Sequence, residues 1–264
     1  MRIDYAARVE IGTKETNDDR VLIDGQILDM TSSKDGELTL PTIAVVCDGC
    51  GGYDGGGIAA QTVLEFLSYE TPESLGNTNY LTQVLDNCTQ AVFEKKLEMP
   101  SYSKMCTTVA GCIFLNNSTI LFHSGDSRVY RYDGWGLARM TVDHSAVQQM
   151  IDMGQITEEE ALTSPNRNVI TRCIGAFCPP PEIYVSNTAI APGEKFLLCS
   201  DGLWESVSAE QIKEILSRDI PLDRMADILV EAALNQGSDD NISVCICGAR
   251  GNTTVIENKP FVLE

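Results

Sequence analysis

Histidine is nearly missing from this chain: His123 and His144 are the only two among 264 residues. That scarcity excludes metal centres assembled mainly from imidazoles. No apolar run approaches the roughly 20 residues that a bilayer-spanning helix needs. The opening stretch, Met1 to Glu10, alternates apolar and charged residues and has no apolar core of a secretion signal, so the cytoplasm is the expected location. Basic residues are also scarce, 19 against 38 acidic, for a formal charge of −19. Such a surface repels phosphate backbones and anionic lipid, and neither a nucleic acid nor a membrane is expected as a partner.

Cysteine, by contrast, is plentiful, with ten residues. Cys47 and Cys50 are spaced C-x-x-C and Cys245 and Cys247 C-x-C, but neither has a second pair at zinc-finger spacing. Cys112, Cys199, Cys245 and Cys247 lie in apolar, strand-like runs, where a free thiol behaves as a small hydrophobe. Reduced core thiols are therefore expected. Length and a 43% hydrophobic content suit one large domain, taken as residues 1–250 with a C-terminal tail at 251–264.

Strand-like segments, rich in β-branched or apolar residues and bounded by turn formers, stand at 2–11, 20–28, 42–47, 109–115, 119–123, 128–132, 195–200 and 242–248. Helical spacing appears in Leu81, Val84, Leu85, Cys88 and Val92, and again in Leu222, Met225, Ala226, Leu229 and Ala233, with Pro221 opening and Gly237 closing the second. Ser208 with Gln211 and Thr157 with Glu160 have the form of capping boxes. Helices are also expected at about 57–70, 78–97 and within 144–162, and Thr31–Leu40 reads as a surface loop. Strands come in runs rather than in βαβ alternation, which points to an α+β fold with antiparallel sheets and helices packed outside.

Four segments place aspartates at strand ends: Asn17-Asp18-Asp19, Asp48-Gly49-Cys50-Gly51-Gly52, Ser200-Asp201-Gly202 and Ser238-Asp239-Asp240-Asn241. A strand end fixes a carboxylate on a rigid scaffold, and an adjacent glycine lets the backbone offer its carbonyl. Convergent carboxylates without histidine suit hard cations such as Mn²⁺ or Mg²⁺. Each aspartate alone reads better as a solvated turn residue than as a ligand; four at strand ends are harder to set aside, though composition does not show that they converge.

In order along the chain stand N-D-D at 17–19, V-C-D-G-C-G-G at 46–52, T-T-V-A-G at 107–111 and H-S-G-D-S-R-V-Y-R at 123–131. They are followed by T-V-D-H-S at 141–145, L-L-C-S-D-G-L-W at 197–204 and G-S-D-D-N-I-S at 237–243. This series resembles the metal-dependent protein phosphatases, the type 2C serine/threonine phosphatases, and most closely their short bacterial members, over about nine-tenths of the chain. The resemblance implies a sandwich of two antiparallel sheets with helices on both outer faces and a flap at about 144–180. It implies hydrolysis of phosphoserine and phosphothreonine in proteins by a hydroxide shared between two metal ions, without a phosphoenzyme.

Carried over residue by residue, Asp48 bridges the two ions and the Gly49 carbonyl ligates one. Asp201 and Asp240 complete the second ion's shell, and Asp19 reaches the cluster mainly through water. Asp126 pairs with Asp201 at a weaker third site. Lys14 stands where most members carry a phosphate-gripping arginine, Asp18 replaces a longer Glu or Gln, and Cys50 replaces a histidine or methionine. Ser164, where the bacterial flap often has histidine, belongs to the flap with Asn168 and Arg172. Phosphoproteins made by a Ser/Thr kinase are the implied substrates, and a monomer is expected. Rival chemistries lack their residues: no cysteine precedes an arginine by six positions, and neither a G-x-S-x-G elbow nor a nucleotide P-loop is present. Two readings remain beside hydrolysis of phosphoproteins: a catalytically dead phosphoprotein-binding module, and a phosphatase of small phosphomonoesters.

Overall fold

In a computed structural model that describes residues 2–50 and 55–249, the strands form two six-stranded sheets in which every pairing is antiparallel. The strands are β1 (Arg2–Glu10), β2 (Asp19–Ile23), β3 (Gln26–Leu28), β4 (Ser32–Thr39), β5 (Thr42–Asp48), β6 (Val109–Phe114), β7 (Thr119–Ser124), β8 (Arg128–Tyr132), β9 (Leu137–Arg139), β10 (Glu182–Ser186), β11 (Lys195–Cys199) and β12 (Ile242–Gly248). One sheet runs β4-β1-β12-β11-β8-β9 and the other β10-β7-β6-β5-β2-β3. The helices are α1 (Gly56–Ser68), α2 (Pro72–Leu75), α3 (Thr78–Glu98), α4 (Ala146–Asp152), α5 (Glu158–Leu162), α6 (Asp201–Trp204), α7 (Ala209–Ser217) and α8 (Leu222–Asn235).

The period-two alternation of a strand sorts side chains between layers. Along β12, Cys245 and Cys247 enter the core between the sheets, while Ile242, Val244 and Ile246 pack with residues of α7 and α8. Along β5, Ala44 and Val46 face between the sheets, whereas Ile43, Val45 and Cys47 meet α1 and α3. Phe114 and Phe196 meet edge-on across the inter-sheet core at 5.3 Å, each fully buried. Burial of such a ring contributes about 2 kcal/mol against the chain's lost freedom. The expected α-β-β-α sandwich is the observed one.

Several local expectations change. Ser32–Thr39 is a strand rather than a loop, pairing with β1 from Arg2 opposite Thr39 to Val9 opposite Ser32. Its polar composition hid it because it is a sheet edge, where Lys34, Asp35 and Glu37 discourage pairing with another chain. The segment 20–28 breaks into β2 and β3 at Asp24-Gly25, both at positive φ. The stretch 144–162 holds two short helices, α4 and α5, separated by a turn at Gly154. Both capping boxes form, and Gly237 follows α8 at φ +84°. The tail at 251–264 and the Gly51-Gly52 turn lie outside the described residues.

Candidate active site

The alternation that builds the core also aims the acids. Residues 44 and 46 of β5 and 21 and 23 of β2 face between the sheets, and Asp48 and Asp19 continue those two rows at the strand ends. The two aspartates are direct partners in the β2–β5 ladder. Like charges so placed repel. Asp201 opens α6 immediately after β11, and Asp240 precedes β12, the neighbour of β11 in the other sheet.

Glycine permits these approaches. A Cβ on Gly202 would lie 2.0 Å from the Asn241 carbonyl oxygen, so the Asp201 and Asp240 segments touch through their backbones. A Cβ on Gly49 would lie 2.2 Å from the carbonyl carbon of Gly56, which brings the start of α1 against the Gly49 peptide. Substitution of either glycine would push the segments apart.

Burial and mutual repulsion dominate the electrostatics. Burial first, then Asp201 and Asp19, holds Asp48 well above the usual carboxylate range. Burial, then Asp126 and Asp240, does the same to Asp201. Asp19 is 1% exposed; burial raises it to about 6 even though the Ser200 hydroxyl donates to its Oδ2 at 2.7 Å. Asp126 is raised to about 7 by burial, then by Asp143. One Asp201 oxygen, Oδ1, is buried without a hydrogen-bond partner. Among the described residues Lys14 brings an ammonium against these acids, its Nζ 3.2 Å from the half-exposed Asp240 carboxylate.

Neighbouring polar groups hold the cluster in place. The Asp48 amide donates to Thr108 Oγ1 at 3.0 Å, and Thr107 Oγ1 donates to the Asp48 carbonyl at 2.9 Å. Asp18 accepts from the Gly57 amide in the first turn of α1, which explains why a short carboxylate serves there. Trp204 Nε1 donates to the Asp126 carbonyl at 3.0 Å, and the Arg128 guanidinium, ion-paired with Asp143, covers the indole face.

The flap residues lie in different company. Asn168 is exposed, and Ser164 Oγ accepts from the Asn166 amide. Arg172 Nη1 donates to Glu182 at 2.8 Å, on the oxygen that His144 Nε2 also approaches, at 3.2 Å. His144 stacks on His123 at 4.5 Å, and burial, then His123, lowers it to about 4. In this trio of two imidazoles and a carboxylate, the carboxylate is already served by Arg172, and the contacts link β7, the 144–172 segment and β10. A cavity of about 910 Å³ lies beside the carboxylates rather than over them, with Arg167, Arg139, Trp204 and Glu205 in its wall.

Comparison with known proteins decides what such a site belongs to. Over 211 residues the chain is 30% identical to a Streptococcus pyogenes protein described as protein phosphatase 2C-type, covering 78% of this chain and 85% of that one. The chain belongs to the type 2C protein phosphatase family. Its activity is hydrolysis of phosphoserine and phosphothreonine in proteins. The serine/threonine protein phosphatase PstP of Mycobacterium tuberculosis is 32% identical over 248 residues, 92% of this chain but 44% of PstP's length. A crystal structure of PstP superposes with a TM-score of 0.79 at 30% identity, covering 94% of this chain and 99% of that one. A structure of the PstP catalytic domain in complex with two manganese ions superposes with a TM-score of 0.77 at 28% identity, covering 94% and 99%. No family model matches the chain.

Two contacts around the aspartate segments escaped sequence reasoning. Asn241, 6% exposed, donates through Nδ2 to the carbonyls of Ile11 and Thr16 and accepts from the Asp18 amide, so one side chain pins the whole 11–18 loop. Its place inside an aspartate-rich motif was the signal; its partners more than two hundred residues away were not visible. Arg167 lies 3.9 Å from Glu205, a link from the flap to the residue after α6, and nothing in its sequence context marked it.

Proposed function

We propose that the phosphatase works through Asp48, Asp201 and Asp240, with the Gly49 carbonyl, as the ligand set for two hard divalent cations, Mn²⁺ or Mg²⁺. Asp126 with Asp201 would hold a third, weaker one, and Asp19 supports the cluster from behind. The observation that carries this reading is the buried, partnerless Oδ1 of Asp201 among carboxylates that repel one another. All-oxygen donors without a histidine fit hard cations. When bound, such cations lower the pKa of water and neutralise phosphate oxygens.

The chain's own residues do the rest. Thr107, Thr108 and Ser200 fix Asp48 and Asp19, so the acids need no reorganisation as charge redistributes at phosphorus. Lys14, on the loop that Asn241 pins, stands at the exposed edge beside Asp240 and would meet a phosphate oxygen as a point charge rather than as a bidentate fork. Ser164, Asn168 and Arg172 belong to a flap at 144–180 whose base is the Arg172–Glu182 pair, within a single catalytic domain taken as 1–250. The adjoining cavity would take peptide on either side of the phosphorylated residue.

No described helix is long and apolar enough to cross a membrane. We place the enzyme in the cytoplasm as a monomer opposing a Ser/Thr kinase, a setting in which ten unpaired thiols persist. The test is turnover of a phosphothreonine peptide, expected to need added Mn²⁺ or Mg²⁺ and to stop in chelator. Undiminished turnover in excess EDTA would overturn the ligand assignment, and faster turnover of small phosphomonoesters than of phosphopeptides would shift the substrate class.

A further inference from the structure

Beside the carboxylates lies a second cluster of different chemistry, which phosphate hydrolysis does not use. Cys50 follows Gly49 at the end of β5. Cys106 lies in the loop leading to β6, and Cys173 lies where the flap rejoins the sandwich. Their three sulfurs all fall within 4.8 Å of one another. Chance contact of flexible side chains does not explain this, because backbone hydrogen bonds align the three segments. The Cys50 amide donates to the Cys106 carbonyl at 2.9 Å. Thr107 and Ile174 exchange both of their bonds, at 3.1 and 2.8 Å.

A fourth thiol lies outside that 4.8 Å group but against the backbone of Cys173. Cys178 Sγ donates to the Cys173 carbonyl at 3.2 Å and accepts from its amide at 3.5 Å. The tight turn between them passes through Gly175 at φ +90°, whose carbonyl is held by the Lys96 ammonium on α3. A C-x-x-x-x-C pair of this kind lies within the spacing of structural thiolate sites.

Sulfurs around a tetrahedral Zn²⁺, each about 2.3 Å from the ion, stand about 3.8 Å apart, so the observed trio needs to contract by no more than about 1 Å. A disulfide would use two of the three converging thiols and strand the third, and reducing compartments disfavour it. We propose that Cys50, Cys106 and Cys173, with Cys178 in the fourth position, bind one soft thiophilic cation of the zinc class. The bound ion ties the flap's return segment to the peptide that carries Gly49. Hard cations and soft cations thus have separate sites two residues apart on one strand end.

The test uses the full chain, purified in reductant, and titrated with Co²⁺ as a probe. One equivalent should give the near-ultraviolet sulfur-to-cobalt band and the strong visible bands of a tetrahedral thiolate site. Zn²⁺ should displace them and excess Mg²⁺ should not. The bands should vanish in the Cys106→Ser, Cys173→Ser double variant and persist in Cys112→Ser, a core thiol elsewhere. A weak spectrum of oxygen-ligated cobalt alone, or thiolate bands that survive in the double variant, overturns the proposal. A second measurement needs no variant: alkylation of the half-buried Cys50 and Cys106, followed by mass spectrometry. One equivalent of Zn²⁺ should slow it by about tenfold or more; unchanged rates overturn the proposal. Neither readout involves phosphatase activity, so failure here leaves the aspartate assignment intact, and failure there leaves this one intact.

Discussion

Strand β5 ends between two proposed ligand sets that a chemist would keep apart. Asp48 joins Asp19, Asp201 and Asp240, and two residues later Cys50 joins Cys106 and Cys173. The aspartates converge because strands from both sheets end at one edge of the sandwich. The thiols converge because three irregular segments are laced by a few backbone bonds. A rigid scaffold therefore holds the aspartates, and loops hold the thiols. By the assignments proposed above, the aspartate set serves chemistry at phosphorus and the thiol set ties down the segment around Cys173.

The sharpest way to break that division is to remove one acid at a time. Asp48→Asn, Asp201→Asn and Asp240→Asn should each lower kcat by about 100-fold or more on a phosphothreonine peptide across a Mn²⁺ titration. Cys173→Ser, in the other cluster, should stay within about threefold. A Cys173→Ser loss as large as that of Asp201→Asn would merge the two sites into one. Asp126→Ala should slow turnover less and shift the Mn²⁺ dependence to higher concentration, while unchanged kinetics across the titration would remove the third site.

Asn241→Ala tests how the aspartate side is scaffolded. It removes three hydrogen bonds and leaves buried backbone groups unpaired, and should destabilise the protein by about 2 kcal/mol in denaturant unfolding. A loss below about 0.5 kcal/mol would mean that the 11–18 loop is held by other contacts.

The stacked His123–His144 pair should respond to pH. His144 has its folded pKa lowered from 6.5 to about 4 by burial and by His123. Between those values the unfolded chain binds the proton and the folded chain does not, so this contribution is complete above about pH 6.5 and is lost as pH falls toward 4. The effect is on the order of 2 kcal/mol. His144→Asn, whose side-chain oxygen can still accept from the Gly125 amide, should flatten that acid limb in unfolding measurements. An identical limb would place the acid sensitivity elsewhere.

The smallest effects lie at the rim. Lys14→Ala should raise KM about three- to tenfold with little change in kcat, and Lys14→Arg should preserve or lower KM. Cys50→Met should leave a phosphoserine pH–rate profile near that of the wild type. A drop of about 100-fold would make this thiol a proton donor to the leaving group, in the range expected for a lost general acid.

Much of the proposed hard site was legible before any fold was known. Asp48 and Asp201 stand beside a glycine and Asp240 beside an asparagine, each next to an apolar run, a pattern that local chemistry alone explains. Strand β4 was not legible, because an exposed edge strand is selected for polar residues that read as loop. The thiol cluster was hidden further. Cys47 and Cys50 look like a pair, yet the strand's alternation sends Cys47 into the helix-facing core, while Cys50 lies beyond the Gly49 turn with Cys106 and Cys173.

By itself the sequence determined antiparallel strands with helices outside, the helix faces, the capping boxes and the strand-end acids, because alternation, 3.6-residue spacing and caps are properties of neighbours along the chain; the two-sheet sandwich entered only through the family resemblance. Only the tertiary structure decided that Asn241 pins a loop more than two hundred residues away, that His123 stacks on His144, and that three distant cysteines meet. Those are contacts between segments whose separation is fixed by how the sheets stack, and no local pattern encodes it.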